Sequence, residues 1–187
     1  MPTNNVELVK HTDYIWEYKQ AYLDGPQLIT SIQNDQWGFY SNQGGVTGKI
    51  TSLSHDKKNH NVVFDIFYKY ISEYIDNTNI DADINNIDGG EIFIRKYDTG
   101  SYLTEHQDVY GQPNGEGIKN PLVVTALLYL NDDFDGGEIY FPEKGISIKP
   151  DCGSLVVFPS KTVHGVKTLI SGNRYLTSIY IYEGGKK

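Results

Sequence analysis

The sequence predicts a mainly β fold with flanking α-helices, in which antiparallel strands close a double-stranded β-helix (jelly-roll) barrel supported by N-terminal helices. Three observations carry this prediction. From residue 90 onward the hydrophobic period is two, over seven successive segments bounded by turn residues. One earlier stretch has helical spacing instead and is long enough to cover a sheet. At 187 residues, the chain can bury one core well and two cores only poorly. A single unit over residues 1–187 is therefore expected, with helical and strand support in 1–88 and the jelly-roll core in 89–183.

Each element has a local reason. "GPQLITSIQND" reads as a short helix whose first turn accepts Pro26, because the N–H that proline lacks has no helical partner there. "NQGGVTGKITSLS" carries three glycines and is expected as a loop or short strand pair near a cleft. Between Lys57 and Asn77, the residues Val62, Val63, Ile66, Phe67, Tyr70, Ile71 and Tyr74 recur at the spacing of one helix face. The period then changes. "EIFIRKY", "LVVTALLYLN", "GEIYF", "ISIKP", "SLVVFP", "VHGVKT" and "NRYLTSIYIY" alternate as strands, and "FDGGE" and "KPDCGS" supply the Gly and Asp that tight connections need.

Composition removes several function classes. A net charge of −8 and a pI near 5.0 leave no basic stripe to neutralise phosphates, so no nucleic-acid partner is expected. Cys152 is the only cysteine; it cannot form an internal disulfide or a cysteine-based zinc site, and it reads as a small buried residue. The first residues lack a basic, then apolar, leader pattern, and no apolar run approaches transmembrane length. A cytoplasmic protein with no membrane partner is expected.

The chemistry concentrates in "SYLTEHQDVYGQPNGEGIKNP". In an extended strand residues i and i+2 share a face, so His106 and Asp108 project together toward the barrel interior. A third donor, His164 in "PSKTVHGV", is reachable from across the barrel. Two imidazoles and one carboxylate on a triangular face suit Fe(II) and leave positions open for a co-substrate and dioxygen. Arg174 begins "RYLTSIYIY", whose alternation places Arg174, Leu176, Ser178 and Tyr180 on one face. A buried arginine needs a carboxylate, either a protein Asp or Glu or a ligand gripped through a bidentate fork. Thr125, Leu127 and Tyr129 share a face of the neighbouring strand and offer two hydroxyls to such a pocket.

These residues resemble a family. "YDTGSYLTEHQD" is similar to the Y-x-x-G-x-x-(aromatic or apolar)-x-x-H-x-D signature of the 2-oxoglutarate and Fe(II)-dependent dioxygenases, in particular the prolyl 4-hydroxylase branch. "LLYLNDDFDGGEIYFP" and "KPDCGSLVVFPSKTVHGVKTLISGNRYLTSIYIY" resemble that branch's hairpin and its distal-histidine segment, in the same order. The resemblance implies iron held by His106, Asp108 and His164. It also implies 2-oxoglutarate held through its C5 carboxylate by Arg174 and Tyr129, with Tyr97 and Thr125 lining the co-substrate pocket. It further implies oxidative decarboxylation to succinate and CO₂ with O₂, stimulation by ascorbate (vitamin C), and hydroxylation of a proline in a peptide or protein. Tyr180 stands where the family commonly has tryptophan near the substrate, and Leu122 where relatives often carry arginine. Those departures keep two alternatives open: the same chemistry on another side chain or small molecule, and a silent cupin-like binding module.

Tyr102 and Tyr110 are candidates for the mouth of the site, and the Gly- and Pro-rich segment after Asp108 has the composition of a lid. Asn131, Asp133, Asp135 and Gly136 fit the start of a calcium loop, but its closing position holds Pro142. His11, His55 and His60 lack paired ligands at useful spacing and receive no role.

Overall fold

The computed structural model of the chain describes residues 5–41, 47–87, 91–108 and 121–184. The first part supplies strands β1 (Glu7–Lys10), β2 (Trp16–Lys19), β3 (Gly38–Ser41), β4 (Thr47–Ser52) and β5 (Ala82–Ile87), with helices α1 (Gly25–Ile32) and α2 (Lys57–Thr78). The second supplies β6 (Phe93–Tyr97), β7 (Leu103–His106), β8 (Leu122–Tyr129), β9 (Asp135–Gly136) and β10 (Ile139–Phe141). It ends with β11 (Ile146–Ile148), β12 (Leu155–Pro159), β13 (His164–Val166), β14 (Leu169–Ser171) and β15 (Arg174–Glu183).

The strands form a large sheet in the order β1-β2-β12-β8-β15-β6-β4-β3, with β5 also paired to β15. A smaller sheet runs β11-β10-β13-β7, and β14 pairs with β9. Strand alternation separates two cores. On β8, Val124, Ala126 and Leu128 join Leu155, Val157, Ile179 and Ile181 in a core with α2, whose Val63, Phe67, Ile71 and Tyr74 are buried there. On the other face, Tyr129, Val156, Phe158 and Leu176 pack with Ile139 and Phe141 between the two sheets. The period of two thus sends every other residue to the helix layer and the rest to the barrel interior.

Helix α2 begins at Asp56, whose side chain accepts from the Asn59 N–H, and stops at Asn79 in the left-handed conformation. Its buried face is narrower than the sequence predicts: Val62 is exposed and Ile66 only partly covered. Strand β2 contacts it through Trp16, whose ring meets Tyr74 edge-on at 5.2 Å. Pro26 lies in the first turn of α1, as expected.

One difference from the sequence expectation concerns the N-terminal part. Residues 7–52 do more than support the barrel, because β1 and β2 extend the large sheet beyond β12, while β4 and β3 extend it beyond β6. The described part of the glycine-rich segment forms a strand, in keeping with the expected strand pair: β4 pairs with both β3 and β6, setting Gly48 opposite Tyr97. The lid segment 109–120 and Tyr110 lie outside the described residues. Among the described residues, no helix is long and apolar enough to cross a membrane.

Candidate functional site

The small sheet brings two histidines together. Antiparallel pairing of β13 with β7 makes His164 the direct cross-strand partner of His106, and their ring centroids are 4.3 Å apart. Asp108 joins them by a route that alternation does not describe. The strand ends at His106, so Asp108 lies beyond it, and its backbone N–H donates to the Ser160 carbonyl at 2.9 Å. Its side chain is then fixed by Thr125, whose Oγ1 donates to Asp108 Oδ2 at 2.8 Å and also meets Ser160 Oγ at 3.0 Å.

Both imidazoles are oriented the same way. His106 Nδ1 bonds the Thr104 carbonyl at 2.9 Å and His164 Nδ1 bonds the Thr162 carbonyl at 3.0 Å, so each Nδ1 carries the proton. Each Nε2 lone pair therefore faces the carboxylate, at 3.4 Å for His106 and 3.7 Å for His164. Backbone carbonyls that fix the tautomer are the usual outer support of metal-binding histidines. The three donor atoms lie within 4.8 Å of one another. Two imidazole nitrogens and a carboxylate at this spacing would fit a divalent iron.

Charge and burial differ around the cluster. Burial pulls the His164 pKa below the ordinary histidine value, and the Asp108 charge opposes that only in part. Burial also weighs on His106, but the bonds to Asp108 and to the Thr104 carbonyl outweigh it and its pKa stands raised. Asp108 pays a desolvation cost, more than offset by His106, His164 and Thr125, and it stays below the ordinary carboxylate range.

Behind the cluster a cavity of about 170 Å³ opens between the sheets, with Tyr97, Tyr129 and Arg174 along its wall. Arg174 is 5% exposed. Its Nη1 donates to the Gly137 carbonyl at 2.8 Å, and its guanidinium lies over the Tyr97 ring, 4.8 Å from the centroid. Gly137 has φ +69°, a conformation that suits glycine and aims that carbonyl at Arg174. Arg174 forms no ion pair among the described residues, and its Nε donor has no partner. The Tyr129 hydroxyl is likewise buried and without a partner. Burial pushes its pKa up to about 12, against the pull of the Arg174 charge, so it remains an O–H donor. Two buried donors with nothing to donate to, on one cavity wall, fit a ligand carboxylate.

The other sequence candidates fall in different places. Tyr180 lines the cavity, but Tyr102 is exposed and borders a separate surface depression with Tyr140 and Lys167. Thr125 is spent on Asp108 and not on the cavity wall, because its hydroxyl turns toward the carboxylate. The acidic hairpin is held by its own bonds: Asn131 Nδ2 donates to the Asn173 carbonyl at 2.7 Å, and its Oδ1 accepts from the Tyr175 N–H at 2.8 Å. The remaining histidines have structural partners, His11 with Glu17, His55 with Asp35, and His60 stacked on Phe64. Three lining residues escape the sequence reading, Leu103, Val166 and Arg95; the last shares a strand face with Tyr97 and was signalled by the same alternation.

Comparison with known proteins adds the family. Residues 92–182 match the 2OG-Fe(II) oxygenase superfamily. Prolyl 3-hydroxylase 2 of Mus musculus is 44% identical over 63 residues, covering 30% of this chain and 9% of that protein. Prolyl 4-hydroxylase 1 of Arabidopsis thaliana is 29% identical over 111 residues, covering 47% of this chain and 39% of that protein. The chain therefore spans less than half the length of either relative. A crystal structure of the viral collagen prolyl hydroxylase of Paramecium Bursaria Chlorella virus-1, a 2OG complex, superposes with a TM-score of 0.70 at 19% identity, over 91% of this chain and 96% of that one. At that identity the likeness is one of fold, and it agrees with the jelly roll expected from the strand pattern.

Proposed function

With residues 92–182 belonging to the 2OG-Fe(II) oxygenase superfamily, we propose that the chain hydroxylates a prolyl residue in a peptide or protein. In this reading His106, Asp108 and His164 hold Fe(II), Arg174 and Tyr129 hold the C5 carboxylate of 2-oxoglutarate, and ascorbate stimulates turnover. The observation that carries it is the pairing of a three-donor cluster with two unpartnered buried donors, Tyr129 Oη and Arg174 Nε, around one cavity. A metal-binding module alone has no need of the second feature.

Bound Fe(II) supplies activation of dioxygen, which couples loss of CO₂ from 2-oxoglutarate, giving succinate, to insertion of one oxygen atom into a substrate C–H bond. The residues of the chain do the rest. Thr104 and Thr162 carbonyls hold both Nε2 lone pairs inward, and Thr125 holds the carboxylate against them. Arg174, braced on the Tyr97 ring, and Tyr129 fix the far end of the co-substrate so that its oxo-acid end points toward the cluster. Leu127, Leu176 and Val166 make the intervening wall apolar, which excludes water and strengthens every polar contact inside.

A second reading is oxidation of another amino-acid side chain or of a small molecule. It is favoured by Leu122, a buried apolar residue where relatives often carry arginine. One experiment separates the two. Proline-containing peptides incubated with the protein, Fe(II), ascorbate and 2-oxoglutarate should gain the mass of one oxygen atom, and their proline-to-alanine controls should not. Equal gain in both would sink prolyl specificity.

A further inference from the structure

Tyr18, on β2, ends in a hydroxyl that is buried and has no partner. The residue is 1% exposed, its ring centroid lies 4.7 Å from that of Tyr70 on α2, and Leu8 is its cross-strand partner on β1. Among the described residues β1 is the last strand at this end of the large sheet. Between that end and α2 lies a cavity of about 340 Å³, lined by Val6, Leu8, Tyr18, Lys69, Tyr70 and Glu73. It is separate from the cavity beside the His-Asp cluster. Tyr18 belongs with Leu155 and Val157 to the core on the α2 side of the large sheet, whereas Tyr129 and Leu176, which line the Arg174 cavity, face the other way.

The polar groups of this cavity carry both signs. Lys69 Nζ donates to Tyr70 Oη at 3.3 Å and lies 4.7 Å from the Tyr70 ring centroid, which leaves its other N–H groups and the Tyr70 O–H to donate elsewhere. Glu73 follows one turn later on α2 and is exposed. The two form no ion pair with each other among the described residues, and lysine N-terminal to glutamate is the weaker order for such a pair. Burial, the Glu73 charge and the neighbouring Tyr70 push the Tyr18 pKa up, so the hydroxyl keeps its proton and stays a donor. A buried donor without an acceptor is costly to leave bare.

Tyr18, Tyr70 and Lys69 offer donors to an anionic group, Glu73 offers an acceptor to a cationic one, and Val6 and Leu8 supply an apolar wall. We infer that this cavity binds a free α-amino acid with an apolar side chain. Its carboxylate is received by Tyr18, Tyr70 and Lys69, its ammonium by Glu73, and its side chain by Val6 and Leu8. Lys69 and Glu73 stand about 6 Å apart along the helix axis, a span bridged by a molecule that carries both charges on one carbon. A carboxylate alone would meet the Glu73 charge uncompensated, and an amine alone would leave the Tyr18 donor bare.

The test is an NMR titration of the isotope-labelled protein with L-leucine and with its two halves, isocaproate, which lacks the ammonium, and isoamylamine, which lacks the carboxylate. L-Leucine is expected to shift the backbone signals of Lys69 and Glu73 saturably, and each half to bind about tenfold or more weakly. Tyr18→Phe keeps the ring and removes the orphaned hydroxyl, so L-leucine should bind about tenfold more weakly while the melting temperature holds. Glu73→Gln should weaken L-leucine and leave isocaproate no weaker, and His106→Ala should bind L-leucine as the wild type does. No saturable shift with L-leucine overturns the inference, as do halves that bind as tightly as the whole, or a Tyr18→Phe variant of unchanged affinity. Lost binding together with an early melt in Tyr18→Phe, and unchanged affinity in Glu73→Gln, would make both residues structural and overturn it as well.

Discussion

The Thr125 hydroxyl donates to Asp108 Oδ2 at 2.8 Å while its own strand, β8, runs through the centre of the large sheet. The bond ties a carboxylate beyond the end of a short strand to the middle of the large sheet. Thr125→Val keeps the volume and removes the donor. Metal affinity should fall by about 10–100-fold, the usual cost of losing an outer-shell partner, and Thr125→Ser should restore most of it. Metal titration followed by calorimetry checks this, and equal affinities would show that Asp108 is oriented by something else.

Tyr129→Phe offers a separation of binding from folding. The deleted hydroxyl has no protein partner to abandon, so the melting temperature should hold or rise, since a buried unsatisfied group is a cost. The affinity for 2-oxoglutarate should nevertheless fall by roughly tenfold. A variant that melts early while binding 2-oxoglutarate normally would reverse both expectations.

Much of this site is legible in the sequence. Arg174 opens the ten-residue β15, long enough for a period of two to be read, whereas His164 opens the three-residue β13 and is legible through the family signature. Asp108 is different: alternation predicts its proximity to His106, but the strand stops at His106, and contacts with Ser160 and Thr125, remote in sequence, hold it in place. Strands β1, β2, β3 and β5 are not legible, being only four to six residues long and rich in polar side chains. Their stability comes from partners far along the chain, β12 for β2 and β15 for β5. Arg95, one strand period before Tyr97, shares its face by the same alternation.

Gly153 links the end of β8 to the N-terminal part. Its N–H donates to the Tyr129 carbonyl at 2.8 Å, its φ is +82°, and a Cβ there would lie 2.1 Å from the Tyr22 carbonyl oxygen. Gly153→Ala should therefore cost about 2 kcal/mol or more, lowering the melting temperature by roughly 4–8 °C. Thermal unfolding followed by circular dichroism measures it, and a loss under about 1 °C would mean that the turn relaxes freely.

Cys152 should be a slow nucleophile. Burial, with the Asp132 and Asp133 charges, pushes its thiol up to about 11, and its Sγ donates to the Leu130 carbonyl at 3.2 Å. Below pH 9 the thiolate fraction should be about a hundredfold lower than for an ordinary thiol, and the rate should climb about tenfold per pH unit toward pH 11. Iodoacetamide labelling of native and urea-unfolded protein compares the two, and equal rates at pH 8 would contradict it.

In the proposed reaction the His106, Asp108 and His164 cluster and the Arg174 cavity act as one reaction centre. Its most direct test measures succinate and peptide oxidation together, using Fe(II), ascorbate, 2-oxoglutarate and a library of proline-containing peptides. The expected result is succinate and hydroxylated peptide in equal amounts from the wild-type protein, and neither from His106→Ala. Protein that binds 2-oxoglutarate yet releases no succinate with any peptide would contradict it.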